Sequence, residues 1–118
     1  MSAKRERAEK AGRGGEEEAA RWLEGEGWEI FDRRRKTPLG EIDLVARREG
    51  LIAFVEVKWR RSVPDLDLAI DERRLARVAA AAGAVAHEYA RADEDIRIDV
   101  ILLAPGAPPR HIANAWMP

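Results

Sequence analysis

The sequence predicts a single mixed α/β layered domain whose elements follow the order α, β, β, β, α, β, β. Three observations carry that reading. Two segments, one near the start and one from Leu75 to Tyr89, space apolar residues as helices do. Five other runs either alternate or are continuously apolar, in the manner of strands. Gly- and Pro-containing joints separate them, and 118 residues suffice for one core but hardly for two.

Residues 1–11 mix Lys4, Arg5, Arg7 and Lys10 with Glu6 and Glu9, so they form a polar arm with little to bury, ahead of a domain over 12–118. From Gly15 to Glu24, Ala19, Trp22 and Leu23 share a helical stripe that Gly25 and Gly27 close. Trp28 to Phe31 reads as a short strand. The basic run Arg33, Arg34, Arg35 and Lys36, backed by the turn Thr37-Pro38-Leu39-Gly40, reads as a loop.

Glu41 to Arg47 alternates, with Ile42, Leu44 and Ala46 on one face and Glu41, Asp43 and Val45 on the other. Leu51 to Trp59 alternates too, and Glu49-Gly50 joins the two runs as a tight antiparallel hairpin. Asp71 is placed to cap a long helix whose stripe is Leu75, Val78, Ala79, Ala82, Val85, Ala86 and Tyr89. Arg97 to Ala104 has the composition of a buried strand, and His111 to Trp116 reads as a last, weak one.

Composition excludes several classes of function. There is no cysteine, hence no disulfide framework, thiolate metal site or cysteine nucleophile, which suits a reducing cytoplasm. The run from Val78 to Ala86 is too short to span a bilayer and the first residues lack the apolar stretch of a signal peptide, so no membrane association is expected. A formal charge of -1 argues against polyanion binding by bulk charge while leaving room for a local basic face. Ser62 has no histidine beside it in sequence, His87 and His111 lack zinc-protease spacing, and Gly12, Gly14 and Gly15 match no phosphate loop.

Chemistry is suggested by charges on faces that should be apolar. Glu56 and Lys58 continue the face of Ile52 and Phe54. A two-residue turn at Glu49-Gly50 sets Asp43 opposite Glu56 and Glu41 opposite Lys58, with opposed β-carbons about 5 Å apart. Glu16 lies three residues before Ala19 and seven before Leu23, on the stripe that meets the sheet. Clustered carboxylates either take up protons or hold a hard divalent cation such as Mg²⁺. With Lys58 nearby, such a site has the parts needed to hydrolyse a phosphodiester. A plain salt-bridged hairpin, a Glu41–Lys58 pair and a Glu16 placed only for the helix dipole are the structural alternatives.

The helix-one segment G-R-G-G-E-E-E-A-A-R-W-L (Gly12 to Leu23), the hairpin pieces G-E-I-D-L-V (Gly40 to Val45) and F-V-E-V-K-W-R (Phe54 to Arg60), and the terminal H-I-A-N-A-W (His111 to Trp116) together resemble the YraN family of small bacterial proteins. That family is similar to the PD-(D/E)xK, restriction-endonuclease-like nucleases, close to archaeal Holliday junction resolvases. The resemblance implies a three-layer α/β/α fold with a central mixed sheet and a metal-dependent endonuclease acting on DNA, possibly branched DNA. By position it implies Asp43 and Glu56 as metal ligands, Lys58 as the catalytic lysine, Glu16 as the helix-one acid, the Val57 carbonyl as a further ligand, and Mg²⁺ or Mn²⁺ as the cofactor. Trp59 stands where a small polar residue is usual and Arg74 where a lysine is usual on the second helix.

Basic residues flank the hairpin and line the second helix. Arg33, Arg34, Arg35, Lys36, Arg60, Arg61, Arg73, Arg74 and Arg77 are placed to hold phosphates without reading bases, or simply to solvate their faces. Trp22 and Trp116 are assigned to the core, while Trp59 either stacks on a base or packs on the sheet. A non-catalytic nucleic-acid-binding or protein-interaction module on the same fold is the rival reading. Homodimerisation is expected if both strands of a duplex are to be cut.

Overall fold

A computed structural model describes residues 15–66 and 70–116. The arm expected over residues 1–11 lies outside the described residues. A helix over residues 15–25 (α1) is followed by β1 (Glu29–Thr37), β2 (Gly40–Arg48) and β3 (Leu51–Trp59). Then come a single-turn helix α2 (Val63–Leu66), the long helix α3 (Glu72–Tyr89), β4 (Asp95–Leu103) and β5 (Arg110–Ile112). The expected α/β order holds, with α2 as the one addition.

The five strands lie in sequence order in one sheet. β1, β2 and β3 form an antiparallel meander, β3 runs parallel to β4, and β5 turns back antiparallel along β4. A parallel neighbour requires a crossover, which α3 supplies. One face of the sheet packs Val45, Ile52, Phe54, Val100 and Leu102 against Leu75, Val78, Ala82 and Val85 of α3. The other packs Leu44, Ala46, Ala53, Val55 and Ile101 against Ala19, Ala20 and Leu23 of α1. Helix, sheet and helix therefore form the three layers expected from the resemblance.

Local chemistry explains the boundaries. α1 ends where Gly27 adopts φ +93°, letting Trp28 N–H reach the Leu23 carbonyl (3.0 Å) and Gly27 N–H the Glu24 carbonyl (3.1 Å). This is a Schellman closure, with Trp28 and Leu23 buried in the same cluster. The Asp71 carboxylate caps α3 by accepting the Arg73 N–H at 2.9 Å. Glu49 and Gly50 both adopt positive φ, +45° and +79°, as a two-residue hairpin turn requires, and the resulting register pairs Arg48 with Leu51 and Leu44 with Val55.

Three expectations are corrected. The basic run Arg33 to Lys36 is not a loop; it belongs to β1, which pairs with β2 along its length around an irregularity near Phe31. Its periodicity is hidden because its partners are acids on the helices rather than apolar neighbours. Arg34 at φ +51° also breaks the alternation, so Arg33 and Arg34 reach α1 whereas Arg35 reaches α3. Charges on this outermost strand discourage edge-to-edge pairing. The last strand stops at Ile112 instead of running to Trp116, since Asn114 turns the chain at φ +53°. Ile42 packs with the α3-side cluster rather than with Leu44 and Ala46. β2 loses strict alternation there because it has begun to leave β3.

Candidate functional site

The site grows out of a parting in the sheet. β2 pairs with β1 out to Gly40 and β3 with β4 out to Trp59, yet β2 and β3 pair with each other only as far as Leu44 and Val55. Continuing the register would set Asp43 opposite Glu56 and Ile42 opposite Val57, with Val57 N–H bonded to the Ile42 carbonyl. Instead the Asp43 carboxylate accepts that hydrogen bond: Val57 N–H donates to Asp43 Oδ2 at 2.7 Å. In an extended strand a residue's N–H and carbonyl share an edge, so the Val57 carbonyl faces the same gap.

Glu16, in the first turn of α1, brings a carboxylate to this gap, and Glu41 stands two residues before Asp43 on β2. One carboxylate oxygen from each of Glu16, Glu41 and Asp43 lies within 4.8 Å of the others. Arg34 of β1 steadies Glu16 through an Nε–Oε2 contact of 2.6 Å. Glu56, almost wholly buried at 2% exposed, is not in this trio. Its Oε1 accepts from Arg74 Nε at 2.6 Å and pairs with Lys58 Nζ at 3.2 Å. Beside the trio, a cleft of about 350 Å³ opens between Gly40, Asp43 and Glu56 on the sheet and Arg74, Arg77 and Val78 on α3.

Electrostatics mark the spot as charged and crowded. Burial, then repulsion from Glu56, pushes the Asp43 carboxyl up to about 7, although the Val57 N–H and Arg74 work the other way. Burial lowers the Lys58 ammonium below the ordinary lysine range; Glu56 opposes the shift, while Arg74 adds to it. The donor set is all oxygen, carries high negative charge and includes a buried acid that resists ionising alone. Those properties fit a hard divalent cation such as Mg²⁺ or Mn²⁺. Glu16, Glu41 and Asp43, with the Val57 carbonyl at the edge of the gap, are the groups that would hold such a cation.

Of the residues singled out from sequence, Glu16 and Asp43 bring carboxylate oxygens within 4.8 Å of each other, and Glu56 and Lys58 pair beside them. Glu41, weighed only as a partner for Lys58, joins the acids instead. Its signal was present, for it shares the Asp43 face of an alternating strand. The basic residues divide. Arg33, Arg34, Arg35 and Arg74 are tied to Glu17, Glu16, Glu88 and Glu56. Arg60 donates to the Trp59 carbonyl. Lys36, Arg61, Arg73 and Arg77 are exposed, and among the described residues none of the four makes an ion pair. Trp59 packs against the α1-side cluster, close to Gly15, Trp22 is half-buried on the same cluster, and Trp116 packs on the α3 side.

Sequence reasoning missed a second polar centre. Asp99, fully buried on β4, accepts from Arg97 (2.7 and 2.8 Å) and from Asn114 N–H (2.9 Å), and lies 2.7 Å from His111 Nε2. His111 in turn meets Trp22 and Trp28 edge to face. Here the terminal His-Ile-Ala-Asn-Ala-Trp segment is fastened to the sheet. Among the described residues no helix is long and apolar enough to cross a membrane.

Comparison with known proteins gives a consistent family. Residues 15–103 match the model described as "Uncharacterised protein family UPF0102". A UPF0102 protein of Erythrobacter litoralis is 66% identical over 115 residues, covering 98% of this chain and 99% of the relative. One from Sphingopyxis alaskensis is 56% identical over 94% of this chain and 96% of its own length, and one from Rhizorhabdus wittichii is 50% identical over 96% of each.

Proposed function

Taking as premise that the chain belongs to the UPF0102 family, the YraN-like family its motifs resemble, we propose that it is a Mg²⁺- or Mn²⁺-dependent endonuclease-like hydrolase of DNA phosphodiester bonds. The observation that carries the reading is the parting of β2 from β3, where Asp43 holds the Val57 N–H and stands among Glu16, Glu41 and Glu56 with Lys58 beside them. A divalent cation at these acids would supply Lewis-acid polarisation and make a water more acidic. The protein's own groups do the rest. Val57 N–H fixes the Asp43 carboxylate, leaving its second oxygen for the gap. Lys58, anchored by Glu56, presents an ammonium that orients an attacking water or steadies charge building on a phosphate oxygen. Arg77, Arg73, Arg61 and Lys36 give phosphate contacts without base readout, which suits a substrate chosen by shape, such as branched DNA. This chemistry belongs in the cytoplasm, and a homodimer would place two such sites on one duplex.

The test is cleavage of a panel of branched and linear DNA. Activity should require the divalent cation and disappear in Asp43→Ala and in Lys58→Ala. Metal-independent cleavage, or cleavage that survives both substitutions, would remove the mechanism. One observation favours a second reading, a non-catalytic nucleic-acid-binding or protein-interaction module: Glu56 already has two cationic partners. That reading expects DNA mobility shifts that weaken with salt and no turnover with any metal.

A further inference from the structure

Glu56 is oddly placed for an acid beside a cation site. Its side chain is 2% exposed, and one oxygen, Oε1, serves both Arg74 Nε at 2.6 Å and Lys58 Nζ at 3.2 Å. The trio of Glu16, Glu41 and Asp43 forms without it. Its two partners differ in freedom. The Lys58 side chain is 12% exposed and rooted two residues along the same strand, so it has nowhere to go. The Arg74 side chain is 51% exposed, sits in the first turns of α3 and borders the open cleft. Leaving Glu56 would return its guanidinium to water, where an ion pair lost on the exposed side costs little. Glu56 has no such exit and must keep a positive partner.

We infer that Arg74 is an exchangeable counter-ion that holds Glu56 out of the cation site, so that a divalent cation recruits Glu56 only as Arg74 swings away. Arg74 is then a positioning residue acting through Glu56, and the bare site is kept weak. The inference rests on the reading of these acids as a cation site. It goes further in naming what competes with the metal and which carboxylate that competitor withholds.

Mn²⁺ calorimetry on the full chain, with no DNA present, tests it through Arg74→Gln, Glu56→Gln and the double variant. Arg74→Gln should bind Mn²⁺ about tenfold more tightly than the wild type, and the gain should vanish when Glu56 is already Gln, because the coupling runs through that carboxylate. An Arg74→Gln affinity equal to or weaker than wild type overturns the inference. So does an equal gain in both backgrounds, which would make Arg74 only a nearby charge. Asp43→Asn separates the two levels. If wild-type Mn²⁺ binding disappears in Asp43→Asn but is indifferent to Arg74→Gln, the cation site stands and only the Arg74 role falls. If neither wild type nor Arg74→Gln binds Mn²⁺, both fall together.

Discussion

Asp43 Oδ2 accepts the Val57 backbone N–H at 2.7 Å, a bond that an unbroken hairpin would have given to the carbonyl of Ile42. One side chain thus ends the pairing of two strands and is fixed at the apex of the gap it makes. The arrangement is costly to stability because the acid is buried near Glu56. With its folded pKa near 7 and its unfolded pKa about 4, Asp43 takes up a proton on folding between those values. Stability from this group is greatest below about pH 4 and falls as the pH rises toward 7. Asp43→Asn keeps an oxygen for the Val57 N–H and removes the charge. It should stabilise the metal-free protein at pH 8 by on the order of 1–2 kcal/mol and flatten the profile between pH 4 and 7. Thermal unfolding of both proteins at pH 5 and 8 checks this; an Asn variant less stable than wild type at pH 8 would refute it.

Asp99 has the opposite sign. Burial alone would raise its carboxyl, but His111, Arg97 and the Asn114 N–H outweigh it and bring the value to about 2. Its stabilising share is complete above about pH 4 and is lost as the pH falls toward 2. Asp99→Ala strands Arg97 and His111 and should cost about 3–5 kcal/mol at pH 7, with the loss shrinking in acid. Urea unfolding at pH 7 and pH 3 measures both.

The hairpin turn offers a test without charge. Gly50 sits at φ +79° with open space around its Cα, so Gly50→Ala meets backbone strain and no clash, and should destabilise by about 1–2 kcal/mol. Glu49, at φ +45°, should gain by replacement with Asn, which tolerates this conformation, by about 0.5 kcal/mol. Chemical denaturation of the two single variants decides the point, and equal stabilities would contradict it.

The N-terminal helix is held by Leu23, buried at 1% and fixed by the closure at Gly27 and Trp28. Leu23→Ala should cost about 2–5 kcal/mol and loosen the packing of the whole helix that carries Glu16. Hydrogen exchange in α1 should rise well above that in α3; uniform protection across both helices would count against this coupling.

Much of this arrangement was legible in the sequence because it is local. Alternation in Leu51 to Trp59 put Glu56 and Lys58 on the α3 face, and the Glu49-Gly50 turn fixed the register that brings Asp43 toward Glu56. Asp71 announced the start of α3. What escaped depends on partners distant in sequence. Arg35 is tied across the fold to Glu88 and Tyr89, and no periodicity within Arg33 to Lys36 records that. Glu56 was read as a companion of Asp43 and does stand near it, but its partner Arg74, eighteen residues later, left no mark in the local pattern. Asp99 drew no notice within the apolar run Arg97 to Ala104, because its partners His111 and the Asn114 N–H lie twelve and fifteen residues further on.

The most direct measurement is anomalous scattering from a crystal of the protein soaked in Mn²⁺. A single peak bounded by carboxylate oxygens of Glu16, Glu41 and Asp43, absent from an Asp43→Asn crystal, is the expected result. Mn²⁺ found only elsewhere on the surface, or a peak unchanged in Asp43→Asn, would contradict the account.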